Sequence, residues 1–129
     1  MADSTVIRQD DPEEQILDTI EAFVTRDVAP YVHALEKADT YPQAIVDRMK
    51  ELGLFGATIA AEYGGLGLPC TTYAKIVERI ARCWMSVTGI FNSHLIMSAA
   101  VQRAGTEAQR REFLPRFATG ELRGGLALT

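Results

Sequence analysis

Only two cysteines occur in the 129 residues, Cys70 and Cys83, and neither a CxxC spacing nor histidines at ligand spacing surround them. That pattern excludes a zinc site and a disulfide framework and leaves two free thiols. Basic excess is missing as well. Thirteen Lys and Arg stand against seventeen Asp and Glu, giving a formal net charge of −4 and a pI near 5.1, which argues against nucleic acid or an anionic membrane as the main partner. The first ten residues are polar and acidic where a secretory segment is basic and then apolar, so the expected address is cytoplasmic. Charge itself is absent from one stretch, Met85 to Gln102. This is no membrane span, because Gly89, Asn92, Ser93, His94 and Ser98 interrupt it at a cost that hydrocarbon would not return. Its apolar positions, including Val87, Ile90, Phe91, Leu95 and Val101, fall on more than one helical face, which predicts a central helix packed on both sides.

With 47% hydrophobic and 23% charged residues the composition is that of a globular protein, and the length suits one domain that buries roughly two-thirds of its unfolded surface. Residues 1–10 carry no periodicity and read as a disordered lead-in. Asp11 then caps a helix, with Pro12 at its first position and Glu13 and Glu14 complementing the dipole. Ile16, Ile20, Val24 and Val28 recur every four residues, so this helix extends to about Ala29, and Pro30 kinks or ends it. A second helix carries Ile45, Val46, Met49 and Leu52 inward and stops at Gly53. After Thr71 or Thr72 as cap, a third presents Tyr73, Ile76, Val77, Ile80 and Trp84 on one stripe, leading into the charge-free helix, which Ser86 can cap and Gly105 ends. Thr106 to Gln109 is a capping box opening a further helix that sends Phe113, Leu114 and Phe117 inward, with Pro115 as a kink or interruption.

The predicted fold is therefore all-α, an antiparallel array of about five to six helices around the central apolar one. Leu126 to Thr129 reads as a strand that has just begun. A lone strand leaves backbone groups unpaired, so the native polypeptide is expected to continue into a sheet, making residues 122–129 the first strand of a following β domain. The glycines of Tyr63 to Pro69 do not match a nucleotide fingerprint, since GxGxxG requires a preceding strand and a helix opening on its third glycine. They predict a structural turn. For Asn92-Ser93-His94 two readings stand, satisfied buried polar groups or a ligand-facing patch, and the residues alone favour the first. Arg103, Arg110, Arg111, Arg116 and Arg123 make the C-terminal third locally basic, a pattern that fits a solvated helix face better than a phosphate site because Glu107, Glu112 and Glu121 intervene.

Three stretches in order, Asp47 to Gly56, Ile59 to Leu68, and Phe113 to Glu121 continuing to Ala127-Leu128-Thr129, resemble the N-terminal domain of acyl-CoA dehydrogenases over about residues 12–129. Ala60 departs from the pattern, which usually has proline before the Glu-Tyr-Gly-Gly turn. The resemblance implies a three-part FAD enzyme in which this helical domain precedes a β domain and a second helical bundle. In such an enzyme a glutamate of that bundle removes the α proton of an acyl-CoA thioester while the β hydrogen leaves as hydride to the flavin, giving the trans-2-enoyl-CoA. No catalytic residue or metal ligand is implied here. Carried over by position, Phe91, Asn92, Leu95 and Ile96 would line the acyl cavity, which brings the ligand-facing reading of Asn92 level with the core reading. Leu126 and Leu128 would lie beside the flavin ring, with Thr129 hydrogen-bonded to it. His94 stays structural, because the family's chemistry asks it neither to move a proton nor to hold a metal.

The implied partners are an acyl-CoA substrate, electron-transfer flavoprotein or oxygen as acceptor, and further copies of the enzyme in a homotetramer or homodimer. The competing reading is a stand-alone helical module that binds a partner without redox chemistry, and a hydrophobic half-strand at the end of the chain speaks against it. Acyl-CoA oxidases and flavin monooxygenases share the resemblance.

Overall fold

The computed structural model describes residues 11–129, and the lead-in read over 1–10 lies outside the described residues. Asp11 caps the first helix as predicted, its Oδ1 accepting the Glu13 N–H at 3.0 Å, and α1 runs Pro12–Phe23 with Leu17, Ile20 and Phe23 buried. The helical path continues to Val28, but its last turn, Val24–Val28, is a π-helix in which the Ala29 N–H reaches Val24 O at 2.8 Å. Pro30 accounts for this: it has no N–H for Arg26 O and its ring would crowd that carbonyl, so the turn widens before the chain reverses. Two short helices follow, α2 (Val32–Lys37) and α3 (Gln43–Glu51), the latter stopped by Gly53 at φ 75°.

The two helices predicted on either side of residue 85 are the two limbs of α4, Cys70–Ala104, which meet at a kink at Trp84, whose backbone is extended (φ −154°, ψ 100°). Its indole N–H donates to Glu36 Oε1 at 2.7 Å, pinning the bend to α2. No threonine caps α4. Pro69 holds the cap position, while the Thr72 hydroxyl donates instead to Glu13 Oε1 at 2.6 Å, and Lys75 Nζ meets the other oxygen of that carboxylate at 2.6 Å. A tertiary partner on α1 thus takes the group that local rules assigned to capping. α5, Glu107–Ala118, has the predicted capping box between Thr106 and Gln109 and runs unbroken through Pro115, an exposed position near the helix end where the carbonyl left without a donor can meet water.

α4 packs against α1, the π turn, α5 and the short 3₁₀ turn Leu54–Gly56, which makes it the centre of the all-α array. Ile76, Ile80, Val87 and Phe91 on α4 are among the most buried side chains, with Phe23, Met49, Phe55 and Leu114 from its neighbours. The prediction that the charge-free segment is covered on both sides needs correction. Met85, Ser86, Gly89, Ser93, Ile96 and Ala100 form an exposed face, with Met85 75% and Ile96 47% accessible. Over residues 122–129 the described chain is irregular, with Leu126 and Leu128 exposed. A strand needs a neighbour for its backbone groups, and none of the described residues supplies one.

Candidate functional site

Beside the open face of α4 lies a cleft of about 370 Å³ between the two limbs of the bent helix and the glycine-containing loop. The first limb contributes Cys70 and Tyr73, the second Asn92, Leu95, Ile96, Ala99, Gln102 and Arg103, and the loop side Thr58 and Leu68. Three of the four predicted acyl-lining residues, Asn92, Leu95 and Ile96, are therefore brought together. Phe91 is not among the lining residues. It is fully buried behind the cleft, its ring edge-on to that of Tyr73 at 6.3 Å between centroids, so its contribution is to seat Tyr73. Tyr73, which the sequence reading placed in the core stripe, is a site residue that was missed. Its hydroxyl donates to Asn92 Oδ1 at 2.7 Å, and burial pushes its phenol up to about 12, so it remains a hydrogen-bond donor at neutral pH. The signal was the spacing between residues 73 and 92, which becomes a contact only because α4 bends at Trp84.

Loop 57–68 is held by its own backbone. Leu66 N–H reaches Gly56 O at 2.8 Å, Gly67 N–H reaches Ile59 O at 2.9 Å and Leu68 N–H reaches Ala57 O at 2.8 Å; the amides of Gly64 and Gly65 go to Ala61 O and Ala60 O. All three glycine amides are engaged, in keeping with a structural turn. Ala60, at the position where the resemblance expects proline, has a proline-like φ of −57° and an N–H that proline would lack. Gln102 Oε1 accepts that N–H at 3.0 Å, tying the loop to the far end of the cleft.

His94 is wholly buried two residues beyond Asn92, on the opposite side of the helix. Its Nε2 lies 3.1 Å from Phe55 O and 3.0 Å from Phe117 O, and its Nδ1 is 3.3 Å from the Gly124 nitrogen. Two carbonyls need a donor and one amide needs an acceptor, so the ring is neutral with its proton on Nε2. Burial, the largest influence, holds its pKa below the ordinary histidine value against the pull of the two carbonyls, and the charge of Arg123 acts in the same direction as burial. The structural reading of His94 agrees with this geometry. Leu126, Leu128 and Thr129 are not brought to the cleft and lie exposed beyond the Gly124 anchor.

A wider groove of about 680 Å³ runs between the π turn and α3, with Tyr31, Tyr41 and Arg48 in its walls, but none of the predicted site residues faces it. No helix among the described residues is long and apolar enough to cross a membrane.

Residues 10–121 match the family model of the acyl-CoA dehydrogenase N-terminal domain. The chain belongs to the acyl-CoA dehydrogenase family. Among family relatives it is 32% identical over 114 residues to (2S)-methylsuccinyl-CoA dehydrogenase of Cereibacter sphaeroides, covering 88% of this chain and 21% of that one. It is 31% identical to the mitochondrial isovaleryl-CoA dehydrogenase of Solanum tuberosum over 98% of this chain and 31% of the relative. The fold matches that of butyryl-CoA dehydrogenase from Megasphaera elsdenii with a TM-score of 0.79 at 24% identity, over 86% of this chain and 30% of that one. It also matches an acyl-CoA dehydrogenase from Bacillus anthracis solved with FAD, with a TM-score of 0.74 at 32% identity over 84% of this chain and 19% of that one. The chain thus spans about a fifth to a third of the length of these relatives.

Proposed function

We propose that this chain is the N-terminal helical part of an FAD-dependent acyl-CoA dehydrogenase, forming one wall of its acyl pocket and supplying the first flavin contacts. The observation that carries the first half is the open, uncharged face of α4 running beside the cleft: a helix surface without a single charge that stays wet in this chain is suited to an apolar ligand or a covering segment. Asn92, Leu95 and Ile96 line that wall, and Phe91 backs it. Residues 122–129, irregular here, would pair as the first strand of a following β domain, with residues 11–121 as the helical domain before it.

The residues present fit an edge of a flavin site. Leu126 and Leu128 are 55% and 88% exposed, apolar, and at alternate positions that an extended backbone turns to one side, and Thr129 adds a hydroxyl. When bound, the flavin supplies the hydride acceptor for α,β-dehydrogenation. This chain's own residues bind and orient: α4 excludes water from the acyl chain, and the Gly124 anchor on His94 directs the segment toward the cofactor. No carboxylate lines the cleft, so the base that takes the α proton lies outside this chain, and the chain alone is inactive. The acceptor is electron-transfer flavoprotein, with oxygen as the alternative in oxidase relatives; the dehydrogenase names of the relatives favour the former reaction class. Self-association of the whole enzyme as a homotetramer or homodimer and a cytoplasmic setting complete the proposal, although the Solanum relative is named mitochondrial.

Shift mapping on the ¹⁵N-labelled chain with butyryl-CoA tests the wall: resonances of residues 89–103 should move, and movement confined to the Tyr31–Tyr41 groove would refute it. Titrating FAD tests the second half. Binding is expected to be weak or absent, since correct placement of reacting groups supplies about 7–11 kcal/mol of a barrier and only one edge of that placement is here. Tight stoichiometric binding, or anaerobic bleaching of flavin by acyl-CoA, would show that too little has been assigned to this chain.

A further inference from the structure

A third hollow, of about 470 Å³, opens where α2 meets the bend of α4 and shares no residue with the acyl cleft. Its walls include Tyr41, Pro42, Trp84 and Ile90, and its charged groups are Glu36 and Asp39, with no Lys, Arg or His among the lining residues. The wider groove, which shares Tyr41 and Pro42, is also acidic, but its carboxylates are met. Asp27 pairs with Arg26 and Arg48, Glu51 with Arg48, and Asp47 with Lys50 at 3.9 Å. Glu36 and Asp39 have no ion-pair partner among the described residues, and Glu36 Oε1 is engaged only by the Trp84 indole N–H. Both stand at the C-terminal end of α2, the end whose partial charge favours a cation, and Asp39 adopts a φ of 48° just beyond it. Lys37, the one base of that turn, is not among the lining residues. Local electrostatics thus disfavours two carboxylates here, and the hollow contains no cation to compensate them.

From this we infer that the hollow is a docking site for a partner protein that inserts an arginine side chain. Charge complementarity names the occupant. Two uncompensated carboxylates call for a cation, and a guanidinium offers them a planar fork of donors while its face stacks on an aromatic ring. The rings are those of Tyr41, 49% exposed, and Trp84, 7% exposed. Both are held before a partner arrives, Trp84 by Glu36 and Tyr41 by Arg123, which donates to its hydroxyl at 2.7 Å and is not itself a lining residue. Little side-chain ordering is then left to oppose association. The methylene stem of the arginine lies on Ile90, and Met85, 75% exposed next to Ser86, extends the apolar rim. An arginine among aromatic and methionine side chains is the composition that marks the centre of an interface. The inference is independent of the acyl wall and of the flavin edge.

Trp84 is the single tryptophan of the chain, so its indole N–H resonance is an unambiguous reporter of the hollow. The test titrates the ¹⁵N-labelled chain with acetyl-Leu-Arg-Leu-amide and with the same peptide carrying citrulline, a neutral isostere of arginine. The arginine peptide should shift the Trp84 indole and the amides of residues 35–41. It should bind about fivefold more tightly than the citrulline peptide, the size expected for a partly exposed charge pair, and added salt should narrow the difference. Glu36→Gln keeps an oxygen for the Trp84 N–H, and Asp39→Asn keeps a side chain that tolerates positive φ. The double variant should therefore fold unchanged and bind the two peptides equally. Equal binding by the wild-type chain, or a preference that survives in the double variant, would overturn the proposal. So would shifts confined to the wider groove, or no shift with either peptide. Indole shifts that follow the concentration of the chain itself, without peptide, would give the hollow to a second copy and overturn the partner assigned here.

Discussion

Replacing His94 by leucine, similar in size and wholly apolar, isolates what the buried imidazole holds. In the native protein Nε2–H serves Phe55 O and Phe117 O, and Nδ1 serves Gly124 N–H. The losses are unequal. Phe117 O keeps the Gly120 N–H at 3.0 Å, and Gly124 is near enough to the surface to turn toward water, so Phe55 O is the group left buried without a donor. Two ordinary hydrogen bonds at about 1 kcal/mol each and an unmet buried carbonyl at about 1–3 kcal/mol put the cost at roughly 3–5 kcal/mol at pH 7.5, read by urea unfolding. The pH dependence carries the sharper test. Because burial holds the folded-state pKa below the unfolded value, the neutral ring's contribution is intact above the unfolded pKa, about 6.5, and is lost as pH falls through the folded value. Protonation would place a second N–H against the Gly124 amide. The stability gap between wild type and His94→Leu should therefore narrow between pH 7 and pH 5, and the Gly124 amide should lose exchange protection over the same range in wild type only. A gap that stays constant across this range would refute the neutral-ring assignment.

Glycine substitutions in the loop should separate lack of space from backbone conformation. A Cβ on Gly65 would fall well inside the carbonyl of Ile59, a backbone group that cannot move aside, so Gly65→Ala should cost about 1–3 kcal/mol or more; Gly64→Ala, at φ 84° with open space around it, should cost about 1 kcal/mol, both read by thermal unfolding. Ala60→Pro should be nearly neutral, the stiffer unfolded chain contributing about 0.4–1 kcal/mol against the loss of about 1 kcal/mol from the bond to Gln102, and a large destabilisation would mean that Gln102 holds the loop more firmly than one bond implies. Glu13, whose pKa is lowered by its hydrogen bonds to Lys75 and then Thr72, should titrate below the ordinary glutamate value by NMR. Lys75→Met should return it upward, and the stabilisation it carries is present above the unfolded pKa and lost as pH falls through the folded one.

Much of this protein was written locally. Asp11 with Pro12, Thr106 with Gln109, and Gly53 are cap and stop signals whose geometry depends on three or four neighbouring residues, and they fall where the sequence put them. The missing charge from Met85 to Gln102 likewise marked the helix at the centre, since desolvating a charged side chain is too unfavourable for such a place. Order and spacing of three stretches identified the family, and with it the two segments to examine. What the sequence could not settle are events between residues far apart in the chain. Thr72 gives its hydroxyl to Glu13 instead of capping α4, because a carboxylate on α1 arrives within 2.6 Å. The two limbs of α4 meet at a sharp bend, where Glu36, 48 positions earlier, holds the Trp84 indole. That bend brings Tyr73 onto Asn92, turning a core position into part of a cleft. One face of α4 remains open for the opposite reason: hydrophobicity states that a surface can be covered, and only the packed chain shows whether anything covers it.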